Sequence, residues 1–253
     1  FDCLIIDECH HVAAKTYRVL NKTAWANTFY RFFLTATFFR NAENEHLLFE
    51  GIAGQVIHQV SYKTAVAKGY ICPVEAYYYD LPKKPSDLYS WAEVYKTLVV
   101  ENEYRNNAIR GLLMGLSSQG LSTLCLVKEI AHGAILERLT GIPFANGQDE
   151  TTRHYIQKFK DGKIKALIGT TGILGEGVDT KPAEYIIIAG LGKAKSAFMQ
   201  AVGRAIRVYP GKESAKVVLF RDTSHRFCLR HYNEQRKILK EEYGVIPIKL
   251  EIE

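Results

Sequence analysis

Leu121-Ser122-Thr123-Leu124-Cys125-Leu126-Val127 is an apolar run of strand length. Ile130, Ala134, Ile135 and Leu139 follow at helical spacing, and then the short run Ile142 to Ala145. Strand, helix over about 129–140, strand is the βαβ pattern, and near-continuous apolar strands mark a parallel sheet buried on both faces. Downstream the alternation repeats. It predicts a helix over 150–160, strands Ala166–Gly169 and Tyr185–Ala189, a helix over 196–207, the strand Lys216–Phe220 and a helix over 225–242. Upstream, Val74–Leu81 reads as a strand. One helix is expected over 90–115, with Ala108, Ile109, Leu112, Leu113 and Leu116 as its apolar stripe. Leu4-Ile5-Ile6 and Phe29–Leu34 read as further strands, and 42–50 and 61–68 as helices. The fold class is therefore α/β, with parallel sheets covered by helices. Gly69-Tyr70-Ile71-Cys72-Pro73 is the first composition break.

The chain has 253 residues, which favours about two domains, and its 47% hydrophobic and 24% charged content is that of a globular protein. No apolar run approaches the ~18 residues that would span a bilayer. Phe1-Asp2-Cys3 carries no basic leader pattern. The five cysteines are scattered and lack a C-x-x-C, which argues against a disulfide framework or zinc site and favours a reducing, cytoplasmic setting. Net charge is +6, yet residues 193–240 hold twelve Lys or Arg against three acids. Such a basic region suits an anionic partner, and equally a solvated surface.

Two constellations carry chemistry. Asp7 and Glu8 end an apolar strand, the place where open α/β sheets bind ligands. One acid there suits Mg²⁺ held through water, the other an attacking water; a solvated loop or a His10/His11 metal site are the alternatives. On a helix over 196–207, Gln200, Arg204 and Arg207 fall within about 60° of one another, opposite Phe198, Val202, Ala205 and Ile206. Two guanidinium groups one turn apart suit phosphate oxygens, although a solvated amphipathic helix has the same pattern. Tyr77-Tyr78-Tyr79 reads as core rather than a base-stacking platform, and Arg226–Lys240 as either a phosphate track or a solvated face.

Taken in order, these pieces resemble superfamily-2 DEAD/DEAH-type helicases. Asp7-Glu8-Cys9-His10 is similar to their motif II, the Walker B box, and Leu34-Thr35-Ala36-Thr37 to motif III. Thr123 to Glu129 resembles motif IV. Ala145-Asn146-Gly147 with Arg153, Phe159 and Gly162 resembles the lead-in to motif V. Gly169-Thr170-Thr171 with Glu176-Gly177-Val178-Asp179 resembles motif V itself, and Gln200-Ala201-Val202-Gly203-Arg204-Ala205-Ile206-Arg207 motif VI. Phe38 stands where relatives often have Pro. The resemblance implies two RecA-like domains: the C-terminal part of the first over 1–70, and a complete second over 71–253. It implies ATP and Mg²⁺ between them and nucleic acid across both, DNA more than RNA, much as in phage and bacterial branch-migration helicases. It makes Asp7 the Mg²⁺ residue, Glu8 the water activator, and Arg204 and Arg207 arginine fingers. His10 and Gln200 would link motifs II and VI, Gly177 and Asp179 would line the nucleotide side, and Thr170 and Thr171 would contact strand phosphates. Thr35 and Thr37 would couple the domains.

A P-loop needs G-x-x-x-x-G-K-[ST]. Gly-Lys occurs at 162–163, 192–193 and 211–212, but Ile164, Ala194 and Glu213 follow. The expectation is therefore a C-terminal motor fragment, truncated or paired with a separate P-loop segment and inactive without it. Residues 72–253 are expected to fold alone, and residues 1–70 to need a partner. A non-catalytic nucleic-acid scaffold and the motor of a restriction enzyme are the rival readings.

Overall fold

A computed structural model describes residues 2–9, 12, 14–35, 43–84, 86–172, 183–192 and 195–250, without the side chains of 43–46. The chain divides into two compact units, Phe1–Val60 and Ser61–Glu253.

In the first unit, β1 (Cys3–Ile6) pairs in parallel with β2 (Tyr30–Phe33), Cys3 opposite Tyr30 and Ile6 opposite Phe33. Helices α1 (Lys15–Lys22) and α2 (Glu43–Ala53) accompany them. Ile6, Cys9, Val12 and Phe49 form a small core, with Tyr17, Trp25 and Phe33 against it. Helix α1 lies outside the sequence expectations; it buries none of its residues fully, and its short apolar face rests on half-buried Tyr17 and Leu20. Ile5 is 64% and Phe32 46% exposed, unlike the interior of a covered parallel sheet.

The second unit is a seven-stranded sheet in the order β5-β6-β4-β7-β8-β3-β9, with every pair parallel. Its strands are β3 (Val74–Asp80), β4 (Thr123–Val127), β5 (Phe144–Ala145), β6 (Ala166–Thr170), β7 (Tyr185–Ile188), β8 (Ala215–Arg221) and β9 (Ile248–Lys249). All five residues of β4 and of β6 are buried, as central parallel strands require. Helices α3 (Tyr62–Ala67), α7 (Thr152–Lys160), α8 (Lys195–Ala205) and α9 (Arg226–Tyr243) share one core, around Phe159, Phe198, Val202 and Leu239. Helices α5 (Glu103–Ser118) and α6 (Ile130–Thr140) cover the other face through Ile109, Leu113 and Leu136. Helix α3 precedes the composition break yet packs with the second unit, Tyr62 lying edge-on to Tyr243. Tyr78 packs on Tyr232 and Tyr79 on Phe220, so these two half-buried rings border the two cores, while Tyr77 Oη donates to Glu75. No helix among the described residues is long and apolar enough to cross a membrane.

The single helix expected over 90–115 is two. Helix α4 (Trp91–Tyr95) opens in a Ser90–Glu93 capping box and passes into a π-helical turn, Lys96–Val100. The chain then breaks, and α5 starts afresh behind Asn102. The cause is asparagine chemistry: a short amide competes with helical hydrogen bonds and caps well. The Asn102 side chain accepts from the Arg105 N–H and donates to Leu98 O, and Asn106 Nδ2 donates to Val100 O.

Candidate nucleotide and nucleic-acid site

In the first unit, the chain leaves β1 at Ile6 and places Asp7 and Glu8 in solvent, while Cys9 is 1% exposed. Two backbone bonds fix this turn to the end of β2: Leu34 N–H donates to Ile6 O at 2.8 Å and Cys9 N–H to Leu34 O at 2.9 Å. Asp7 Oδ1 accepts from the Glu8 N–H at 2.8 Å. Glu8 sits at φ +50°, left-handed backbone that an ordinary side chain rarely adopts, so the reversal is tight. Burial pushes the Cys9 thiol up, as suits a buried anchor rather than a nucleophile. Half-buried Thr35 follows Leu34 directly, so Asp7, Glu8 and Thr35 belong to one rim of paired strand ends. His10 and Thr37 lie outside the described residues.

Among the described residues, no three His, Cys, Asp or Glu side chains converge as a metal site. Two exposed carboxylates at a strand end fit Mg²⁺, which keeps most of its waters and takes one or two protein carboxylates, and do not fit zinc.

In the second unit, Thr170 ends β6 opposite Val127 of β4 and is 9% exposed, with half-buried Thr171 next. Gly177 and Asp179 lie outside the described residues. The arginine segment differs from expectation. Helix α8 stops at Ala205, and Arg207 lies beyond it, exposed, in an antiparallel bridge with Ile71. Gln200 is exposed, and Phe198, Val202 and Ala205 are buried as anticipated, but Arg204 is buried too, at 8% exposure. The two arginines therefore do not share one solvent-facing helical stripe.

The early stop has a cause outside the helix. Lys212, 9% exposed, donates its ammonium to Ala205 O and, at 3.3 Å, to Arg207 O. Cys72 N–H donates to Ile206 O at 2.7 Å. Carbonyls orphaned at the helix end thus find donors elsewhere in the chain, and a cation suits that end of the helix dipole. Gly211, at φ +81°, makes the turn that brings Lys212 back. Burial holds the Lys212 ammonium below its ordinary pKa. The sequence signal for this cap is a Gly-Lys shortly after the helix, which on sequence alone reads only as a failed P-loop match.

A second feature carries no sequence signal. Strand β4 connects onward to β5, while β7 connects onward to β8 on the opposite side, so the sheet's switch point lies between β4 and β7. That crevice is filled from within. Tyr95 Oη donates to Gly190 O at 2.7 Å, and a Cβ at Gly190 would stand 2.6 Å from that hydroxyl. Arg105, 6% exposed, donates to Ala189 O at 3.1 Å and faces Asp222 at 3.7 Å. A cavity of about 30 Å³, room for one water, lies beside Arg105, Gly190, Cys228 and Gln235. His132, fully buried, meets Asn106 Oδ1 through Nε2 at 2.9 Å.

Burial, aided by the Arg105 charge, pushes the His132 pKa down to about 3. The folded imidazole is neutral, so the unfolded chain alone takes up a proton as pH falls through about 6.5. Stability falls below that pH and keeps falling toward pH 3. Urea unfolding should show wild type losing about 2–3 kcal/mol more than His132→Gln between pH 7.5 and 4.5. Parallel pH curves for the two proteins would contradict this assignment.

Comparison with known proteins points to helicases. Residues 105–209 match the helicase conserved C-terminal domain, and residues 1–40 match the res subunit of type III restriction enzymes. Over these residues the chain is similar to superfamily-2, DEAD/DEAH-like helicases and to restriction-enzyme subunits. A protein of the Sulfolobus islandicus filamentous virus, provisionally named helicase 22, is 24% identical over 273 residues, covering 98% of this chain and 47% of that protein. The ATP-dependent DNA helicase uvsW of Enterobacteria phage T4 is 20% identical over 236 residues, 86% of this chain and 45% of uvsW. Its crystal structure superposes with a TM-score of 0.58 at 16% identity, over 99% of this chain and 54% of that one. A fragment of a provisionally assigned HsdR subunit of a type I restriction enzyme from Vibrio vulnificus gives 0.72 at 18% identity, over 100% and 48%. At these identities the structural likenesses establish the fold. The chain spans about half the length of these relatives.

Proposed function

We propose that these 253 residues are the catalytic-acid and arginine-bearing part of an ATP-dependent nucleic-acid motor, acting on DNA in preference to RNA. In this reading the first unit is part of one RecA-like domain and the second unit is another. The observation that carries the proposal is the Asp7-Glu8 turn, two exposed carboxylates held at a parallel strand end by the Cys9–Leu34 and Leu34–Ile6 bonds. The names of the relatives, a DNA helicase and restriction subunits, support DNA as the track.

The division of labour follows from the residues. Asp7 would hold Mg²⁺, which would supply charge neutralisation at the phosphates. Glu8 orients the attacking water and accepts its proton. Arg207, at the surface, reaches the γ-phosphate, and buried Arg204 fixes the segment's position. Gln200 and His10 link the two sites, and Gly177 and Asp179 line the nucleotide. Nucleotide binding favours one state of the motor, and hydrolysis removes that bias. Thr170 and Thr171 hold strand phosphates, with Thr35 and Thr37 relaying between units. Contacts to phosphate position a strand without reading its sequence, so affinity should be weakly sequence-dependent and fall steeply with salt.

No G-x-x-x-x-G-K-[ST] occurs among these residues, so the phosphate cradle must come from outside them. Exposed Ile5 and Phe32 suit a first unit completed by further structure. A direct test is ATP turnover. The 253-residue chain alone should show no appreciable hydrolysis, and a P-loop-bearing segment supplied in cis or in trans should restore nucleic-acid-stimulated turnover. Robust turnover by the chain alone would refute the proposal.

A further inference from the structure

The connection from β3 to α4, residues 81–90, is long for a parallel α/β unit, and it is tied down. Lys84 N–H donates to Ser224 Oγ at 2.9 Å, and Ser224 N–H in turn donates to buried Asp222 at 2.8 Å. His225 Nε2 meets Leu88 O at 3.0 Å, and the Trp91 ring stands 4.2 Å from that of His231. The loop is therefore held against the first turns of α9. From this anchored loop Tyr89 projects with 84% of its surface in solvent. Lys83 and Lys84 are exposed in the same loop, and Arg226 and Arg230 are exposed one turn apart on α9. None of these four cations forms an ion pair among the described residues. Four acids lie nearby: exposed Asp87, Glu93 in the Ser90 capping box, buried Asp222 facing Arg105, and half-buried Glu234 one turn beyond Arg230.

A fixed loop that presents an aromatic face amid such cations has the chemistry of a single-strand platform, where bases stack on the ring and cations follow the phosphates. We propose that this rim is a second contact for single-stranded nucleic acid, separate from Thr170 and Thr171. It rests on the nucleic-acid reading above. Tyr89 stacks one base, and Lys83, Lys84, Arg226 and Arg230 neutralise flanking phosphates. A duplex keeps its bases stacked inside, so the rim prefers single strands. It thereby gives the motor a place to hold a strand on the second unit independently of nucleotide.

Anisotropy of a labelled oligothymidylate and of a duplex, titrated with the 253-residue chain over a salt series, tests this. Tyr89→Ala should weaken single-strand binding about tenfold, with duplex binding changed much less and Tyr89→Phe restoring affinity. Changing Lys83, Lys84, Arg226 and Arg230 together to Gln should lower the slope of log affinity against log salt by about two or more. If wild type binds and these variants bind identically to it, the rim is overturned and the motor reading stands. If wild type binds neither nucleic acid, the motor reading falls and the rim with it. Equal capture of polyglutamate, indifferent to Tyr89, would show a generic anion surface and overturn the rim.

Discussion

Glu8→Gln should cut ATP turnover at least about a thousandfold in a polypeptide that joins these residues to a P-loop, while nucleotide and nucleic-acid binding stay near wild type. The amide keeps the size and the left-handed turn but loses the base that takes a proton from water. A thousandfold loss corresponds to about 4 kcal/mol of transition-state stabilisation. Binding survives because the loss falls on the reaction rather than on the ground state. The turn survives because its bonds are backbone bonds, Cys9 to Leu34 and Leu34 to Ile6. If instead both binding and turnover fell together, Glu8 would be a structural or metal-holding residue. Loss of neither would place the catalytic base elsewhere.

The two arginines should separate. Arg207→Ala should lower kcat about a thousandfold with an unchanged melting temperature, since its side chain is exposed and its backbone makes the bridge to Ile71. Arg204→Ala should lower turnover and also destabilise the second unit by roughly 2–4 kcal/mol, because it empties a site that is only 8% exposed. Thermal melts alongside steady-state kinetics would show the contrast. Equal melting temperatures for the two variants would contradict the buried position of Arg204. Had both residues shared one exposed helical stripe, as the 3.6-residue repeat alone suggests, the two substitutions would behave alike.

That contrast shows where sequence reasoning reaches. The parallel sheet was legible because β4 and β6 are buried on both faces and so are written as unbroken apolar runs. The acid pair was legible because Ile6 gives way to Asp7 at a strand end. The end of α8 was not legible, since it is set by Lys212 and Cys72, one seven and the other 133 residues away in the chain from Ala205. Local periodicity carries no trace of such partners. The same holds for the polar plug at the switch point: Arg105, Ala189 and Asp222 meet only after the sheet has formed. The Asn102 break was readable in principle, because asparagine in mid-helix is a cap in waiting, but the apolar stripe of α5 outweighed it. Composition placed the basic residues in the last third of the chain; only the fold set Lys83 and Lys84 beside Arg226.

The most direct test of the whole account is a double-mutant cycle on ATP turnover, with Glu8→Gln and Arg207→Ala singly and together in the P-loop-completed protein. If both side chains act on the same phosphate, the effects should be grossly non-additive, and the double variant should be no slower than the worse single one. Losses that multiply, each about a thousandfold and together about a millionfold, would mean that the acid and the arginine serve separate events and would contradict the shared nucleotide.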